Sequence, residues 1–135
     1  MTQANIELVL KDLSARLPYN PMVQLTYQQQ GVEGVDEGQV GLHYFEKIVI
    51  DLQNGTVLEI KPFLRPMSSM TEEEKKEIYD WLVENDVDYF DFNKLRLDEI
   101  LISFDSSWLL IDWLNAHHFD YRNLIGKGLA LPIIN

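Results

Sequence analysis

Two adjacent histidines near the carboxyl end have the widest chemical range of any residues in this chain. His117 and His118 are followed closely by Asp120. Imidazole and carboxylate groups can bind zinc, and a His–Asp pair can also activate a serine such as Ser106 or Ser107. Adjacent helical residues point in different directions, however, and the chain has neither an HxxxH spacing nor a G-x-S-x-G turn. The pattern therefore favours structural histidines, and we expect no catalytic residue, metal or cofactor.

Four residues in and after this segment form a second candidate cluster, suited to binding another protein. His118, Asp120, Tyr121 and Arg122 follow one another with a single interruption. Tyrosine and arginine are enriched among the residues that dominate binding energy at protein interfaces. An aspartate and an arginine two residues apart, at a turn between helices, could equally form an internal clasp. Both interpretations remain open from the sequence.

Negative charge is concentrated in the middle of the chain. The net formal charge is −11, and residues 71–105 alone hold 12 acids against 4 bases. Such a field repels phosphate backbones and anionic membranes, so we expect no direct binding of nucleic acid or membrane. A protein with a basic surface is the expected partner, and mimicry of DNA phosphate is a weaker alternative. Within this segment we expect Glu73, Glu77 and Asp80 to form an exposed acidic helix face.

Several other chemistries are disfavoured by composition and motif. The chain has no cysteine, which excludes disulfides and thiolate chemistry. The first residues have no basic segment followed by an apolar run, and no stretch reaches the roughly twenty apolar residues of a membrane helix. We therefore expect a cytoplasmic protein. Gly126-Lys127-Gly128 lacks the rest of a P-loop, and residues 85–93 fail the calcium-loop pattern.

Hydrophobic periodicity predicts one α+β domain over residues 1–135, with an antiparallel sheet of three to five strands. Helices at the N-terminus, in the middle and in the tryptophan-rich C-terminal region should pack on this sheet. In the first half we predict a helix over 4–17, a strand over 23–28, a mobile loop over 28–38, a second strand over 39–45 and a hairpin over 47–61 whose three-residue loop ends at Gly55 with positive φ.

In the second half, Thr71 and Glu74 predict a capping box at the start of a helix. Alternation in the sequence predicts a strand over 99–104, although within residues 86–105 the stretch LDEIL would also suit a helix. A long helix should begin at Asp105 or Ser106 and bury Trp108 and Trp113. We further predict a short helix over 121–125 that ends at Gly126 in the left-handed conformation, and an extended tail over 129–134.

Three segments carry a resemblance to a family. Residues 10–19 (LKDLSARLPY), 60–74 (IKPFLRPMSSMTEEE) and 111–131 (IDWLNAHHFDYRNLIGKGLAL) are similar to short proteins of gut Bacteroides and their phages or mobile elements. These blocks cover about a third of the chain. The resembled pattern has glycine where Asn123 stands and glutamate where Gly126 stands. The resemblance implies a bacterial cytoplasm and a mobile-element origin, and it transfers no catalytic or binding residue.

These observations lead to three hypotheses about function. The first is a non-catalytic accessory factor of a phage or mobile element that binds another protein through its acidic surface. The second is a small hydrolase-like or metal-dependent enzyme that uses His117, His118 and Asp120. The third is a structural protein that forms oligomers through its C-terminal tail.

Overall fold

The computed structural model describes residues 1–84 and 107–133. Within these ranges the chain forms α-helices and β-strands that alternate irregularly, which confirms the predicted α+β class. The α-helices are α1 (Gln3–Arg16), α2 (Leu42–Gln53), α3 (Glu72–Glu84) and α4 (Ser107–Ala116). The strands are β1 (Met22–Gln29), β2 (Val32–Gln39), β3 (Val57–Leu64) and β4 (Leu131–Pro132). The strand predicted over 99–104 lies outside the described residues.

The sheet is mixed, and the prediction of a purely antiparallel sheet is wrong. Its described strands lie in the order β2-β1-β3-β4. β1 pairs antiparallel with β2 and β3, whereas the short β4 runs parallel to β3, with Phe63 opposite Leu131. The predicted extended tail thus pairs with its own chain, and Ile133 N donates to Leu64 O. A parallel pair needs a crossover connection, and α3 and α4 lie between β3 and β4 in the chain.

The segment predicted as a mobile loop over 28–38 is instead a β-hairpin. β1 and β2 pair along their whole length around a two-residue turn, Gln30-Gly31, whose φ angles are 54° and 79°. Positive φ at both central residues is the type I′ turn that suits the twist of two strands. Sequence reasoning missed β2 because an exposed edge strand needs no apolar alternation.

The strand predicted over 39–45 and the hairpin over 47–61 are both wrong, because helix α2 occupies residues 42–53. Phe45, Ile48 and Leu52 share one helical face and pack into the core, and Ile48 is fully buried. Gly55 does have the predicted positive φ, 82°, but it follows the end of a helix and leads into β3. The same residues therefore fit a helix of period 3.6 as well as a ribbon of period two.

The buried apolar residues form two clusters. Helices α1 and α2 contribute to the first, where they pack on the inner face of the sheet around Leu13, Ile48 and Ile60. Helices α3 and α4 form the second, in which Ile78 packs with residues of α4 and with Phe119. Trp113 belongs to this second cluster, which confirms its predicted burial, while the side chain of Trp108 lies outside the described part of the chain.

The segment after α4 forms turns, so the predicted short helix over 121–125 and the left-handed Gly126 are wrong. Positive φ occurs instead at His118, Asn123 and Gly128. A Cβ at Gly126 would lie 2.4 Å from Asn123 Oδ1. Positions 123 and 126 are therefore in direct contact. If residue 123 were glycine, the missing side chain would leave space for a side chain at position 126.

Candidate functional site

Helix α3 begins with the predicted capping box, which fixes where its acidic face starts. Glu74 N donates to Thr71 Oγ1 at 3.1 Å, and Thr71 N donates to Glu74 Oε1 at 3.1 Å. Glu72 and Glu73 occupy the same first turn, where carboxylates are favoured by the positive end of the helix dipole. The other side of the helix is anchored by Ile78, which is fully buried against α4. The acidic side is thereby held toward solvent.

An open groove of about 480 Å³ lies along this exposed side of α3. It brings together the three acids predicted as interaction residues and adds a fourth, Glu84, together with one lysine and two tryptophans. We call it the acidic groove, and its lining residues are Glu73, Lys76, Glu77, Asp80, Trp81, Glu84 and Trp113. Four carboxylates against one ammonium give it a strongly negative field.

The two tryptophans give the acidic groove an apolar floor. Trp81 is 36% exposed, whereas Trp113 is 6% exposed. The Trp113 ring stacks on His117 with centroids 3.9 Å apart and lies near Phe119 at 5.8 Å. Its Nε1 is buried without a hydrogen-bond partner in the described part of the chain. Sequence analysis assigned Trp113 to the interior, and the spacing gave no sign that its edge would also line a surface groove.

His117 connects this stack to the carboxylates. Its Nδ1 is 2.9 Å from Trp113 O, so Nδ1 carries the proton and donates to that carbonyl. The other ring nitrogen, Nε2, is 3.9 Å from Glu77 Oε1. His117 is thus held in place by its own helix and its tryptophan neighbour. Ser106 and the side chain of Ser107, the serines considered with it, lie outside the described residues.

The second predicted cluster serves the interior of the fold. His118 is half-buried with φ of 61°, and desolvation lowers the pKa of its imidazole. Asp120 is 6% exposed, and its two oxygens accept from Leu124 N at 2.8 Å and Ile125 N at 2.9 Å. Among residues 1–84 and 107–133, no three His, Asp or Glu side chains lie close enough together to hold a metal ion.

Tyr121 and Arg122 belong to a buried ionic network that includes helix α1. Arg122 Nη1 donates to Asp12 Oδ1 and to the Tyr121 hydroxyl, each at 2.8 Å. Asp12 also accepts two hydrogen bonds from Arg16, which in turn donates to Phe119 O at 2.6 Å. Arg122 therefore pairs with Asp12, and the clasp considered between it and Asp120 does not form. The available signal was the four-residue spacing of Asp12 and Arg16 beside the apolar positions of α1.

The ion pair between Arg65 and Glu74 yields a testable pH dependence. Both guanidinium nitrogens Nη1 and Nη2 donate to Glu74, at 2.6 and 2.7 Å, and these bonds lower the pKa of Glu74 to about 2. Because the unfolded carboxyl titrates near 4.5, the pair stabilises the fold above that pH and its contribution is lost as the pH falls toward 2. We expect Glu74→Gln to cost about 2–3 kcal/mol at pH 7 and almost nothing near pH 2.

Urea unfolding of both proteins at pH values from 7 down to 3 measures this difference. Glu73→Gln is the matched control, because Glu73 is exposed on the same helical turn and should change stability by less than about 0.5 kcal/mol at pH 7. A Glu74→Gln difference that stays constant between pH 7 and pH 3 would contradict the proposed linkage.

Comparison with known proteins identifies no relative of this chain. No protein-family model, no curated protein and no solved structure matches the chain. Along residues 1–84 and 107–133, no helix has the length and apolarity that crossing a membrane requires. The acidic groove must therefore be interpreted from its own chemistry.

Proposed function

We propose that this protein is a non-catalytic accessory factor of a phage or mobile element that binds a basic segment of another protein in the bacterial cytoplasm. The observation that carries the proposal is the convergence of Glu73, Glu77 and Asp80 with two tryptophans in the acidic groove. A field of that sign attracts lysine and arginine and speeds the encounter with a basic partner.

The tryptophans favour a specific groove over a surface that is acidic only for solubility. Arginine and lysine bind well over the face of an indole, with up to about 2 kcal/mol where the pair is desolvated. Trp81 is partly exposed between the carboxylates of the same helix. A segment with spaced basic side chains could contact both kinds of group.

The enzyme hypothesis is less well supported by these positions. His117 stacks on Trp113 and bonds to a backbone carbonyl, while both oxygens of Asp120 accept backbone N–H groups. A general base needs a lone pair within hydrogen-bond reach of a substrate proton. Asp120 and the Nδ1 of His117 are therefore committed to partners within the fold, whereas Nδ1 of His118 is buried with no hydrogen-bond partner among the described residues.

A labelled peptide with three arginines spaced by glycine (GRGRGRG) tests the groove. Reversing Glu73, Glu77 and Asp80 to lysine should weaken its binding at least about tenfold, and Trp81→Ala should weaken it about threefold or more. Fluorescence anisotropy at about 0.15 M salt, where screening acts beyond roughly 8 Å, gives the affinities.

The matched control reverses the same number of charges elsewhere. Glu7, Glu46 and Asp51 lie on α1 and α2, outside the residues that line the acidic groove. Their reversal to lysine should weaken binding less than about threefold, through net charge alone. Equal losses in the two triple variants would sink the proposal, because the peptide would then sense only the overall charge of the protein.

A further inference from the structure

Among the described strands, β2 lies at one edge of the sheet. It pairs with β1 on one side, and no strand among the described residues pairs with its other side. Most of β2 is exposed, including Val32 at 68% and Val35 at 58%. Exposed edges present unpaired N–H and C=O groups that can accept another strand.

The hairpin geometry identifies which backbone groups face outward. A two-residue turn places its flanking residues, Gln29 and Val32, in a hydrogen-bonded pair, and such pairs then alternate along the ladder. Gln28 N donates instead to Thr56 O on the β3 side, at 2.8 Å, as this alternation requires. The N–H and C=O groups of Glu33, Val35 and Glu37 therefore point away from β1, along the open edge.

Charge determines which strand this edge can accept. β2 carries Glu33, Asp36 and Glu37 and no basic residue. If two copies paired antiparallel about Val35, each Glu33 would lie opposite a Glu37, and like charges directly opposite destabilise a strand pair. A lysine or arginine at the same positions would be stabilised.

We infer that the β2 edge binds an extended basic segment by strand addition, with basic side chains opposite Glu33 and Glu37. The backbone provides affinity through alternate hydrogen bonds, and the cross-strand charge pairs provide specificity. This surface lies on β2, whereas the acidic groove lies on α3 and α4, so the inference does not depend on the proposed function.

A fluorescein-labelled peptide, Ac-TKTVTKT-amide, tests the inference against the intact protein by anisotropy. Antiparallel pairing about Val35 places its two lysines opposite the two glutamates and directs the N–H groups of Lys, Val and Lys at β2. N-methylation of those three residues should weaken binding about tenfold or more, whereas N-methylation of three threonines should change it less than about threefold. The acidic analogue, Ac-TETVTET-amide, should bind at least about tenfold more weakly than the lysine peptide.

Two measurements on the protein complete the test. Reversing Glu33 and Glu37 to lysine should exchange the preference, so that the acidic peptide binds more tightly than the basic one. Hydrogen exchange should show new protection at the amides of Glu33, Val35 and Glu37 when the lysine peptide binds, and little change at Gly34 and Asp36, which already pair with β1.

Several results would overturn the inference. One is no detectable binding of the lysine peptide at about 1 mM, the weak limit of specific recognition. Another is equal loss for the two N-methylated peptides, which would leave only a charge effect. A third is a dimeric mass of the free protein with those edge amides already protected, which would assign the edge to a second copy.

Discussion

Replacing Asp12 with alanine should lower the free energy of unfolding by about 3–5 kcal/mol, the cost of removing one partner from a buried ion pair. Asp12 and Arg16 are both fully buried, and Asp12 accepts hydrogen bonds from Arg16 and from Arg122. Without this carboxylate, two guanidinium groups would face each other with no counter-charge. Urea unfolding at pH 7, with the slope compared between variants, measures the change.

The size of this effect depends on the partners left behind, since a buried pair as a whole contributes little net stability. Replacing Asp12, Arg16 and Arg122 together by leucine and two methionines should therefore recover much of the loss. Glu7→Ala is the control, because Glu7 is exposed on the same helix and should cost less than about 0.5 kcal/mol. A loss below about 1 kcal/mol for Asp12→Ala would contradict the ionic account.

This network marks a limit of reading helices from sequence. The periodicity of residues 4–17 predicted α1 and its apolar face, and Val9 and Leu13 are indeed fully buried. A basic residue at a helix end is usually exposed, whereas Arg16 is fully buried. Its burial depends on Phe119 O and Asp12, and the former lies 103 residues further along the chain. Local pattern holds no information on a partner so distant.

The middle of the chain shows a different limit. The capping box at Thr71 was predictable because both of its residues are local to the helix start. The helix over residues 42–53 was not predictable, because its apolar positions fit a period of two and a period of 3.6 equally well. Burial of Ile48 under the sheet favours the helix. The glycine at Gln30-Gly31 is typical of a hairpin turn. The strand that follows is mostly exposed, so its sequence lacks the apolar alternation that would have predicted it.

The charges of the candidate site were predictable from the sequence, whereas the tryptophans that line the acidic groove were not. Glu73, Glu77 and Asp80 share a helical face by spacing alone, and they do line one groove. Trp113 joins them only through the packing of α3 on α4 around Ile78. Packing of two helices can thus place a mostly buried residue of one helix along a surface groove that both helices line.

Asp120→Ala should cost about 2–3 kcal/mol, because one buried carboxylate satisfies two backbone N–H groups that the turn leaves without another acceptor. The bonds run from Leu124 N and Ile125 N, and Leu124 is itself fully buried in the first core cluster. Hydrogen bonds to charged groups contribute about 1.5–3 kcal/mol, and an unsatisfied buried donor adds its desolvation cost. Asp120→Asn keeps one acceptor oxygen and should lose about half as much.

Urea unfolding gives the stability change, and hydrogen exchange at the Leu124 and Ile125 amides locates it. Asp112→Ala is the control: Asp112 is exposed on α4, its carboxylate accepts from the Tyr19 hydroxyl, and its removal should cost less than about 1 kcal/mol. Affinity for the GRGRGRG peptide should stay within about twofold in Asp120→Ala, since a buried cap presents no charge to a partner. If Asp120→Ala left stability unchanged and weakened peptide binding instead, Asp120 would be an interaction residue and the capping role would be excluded.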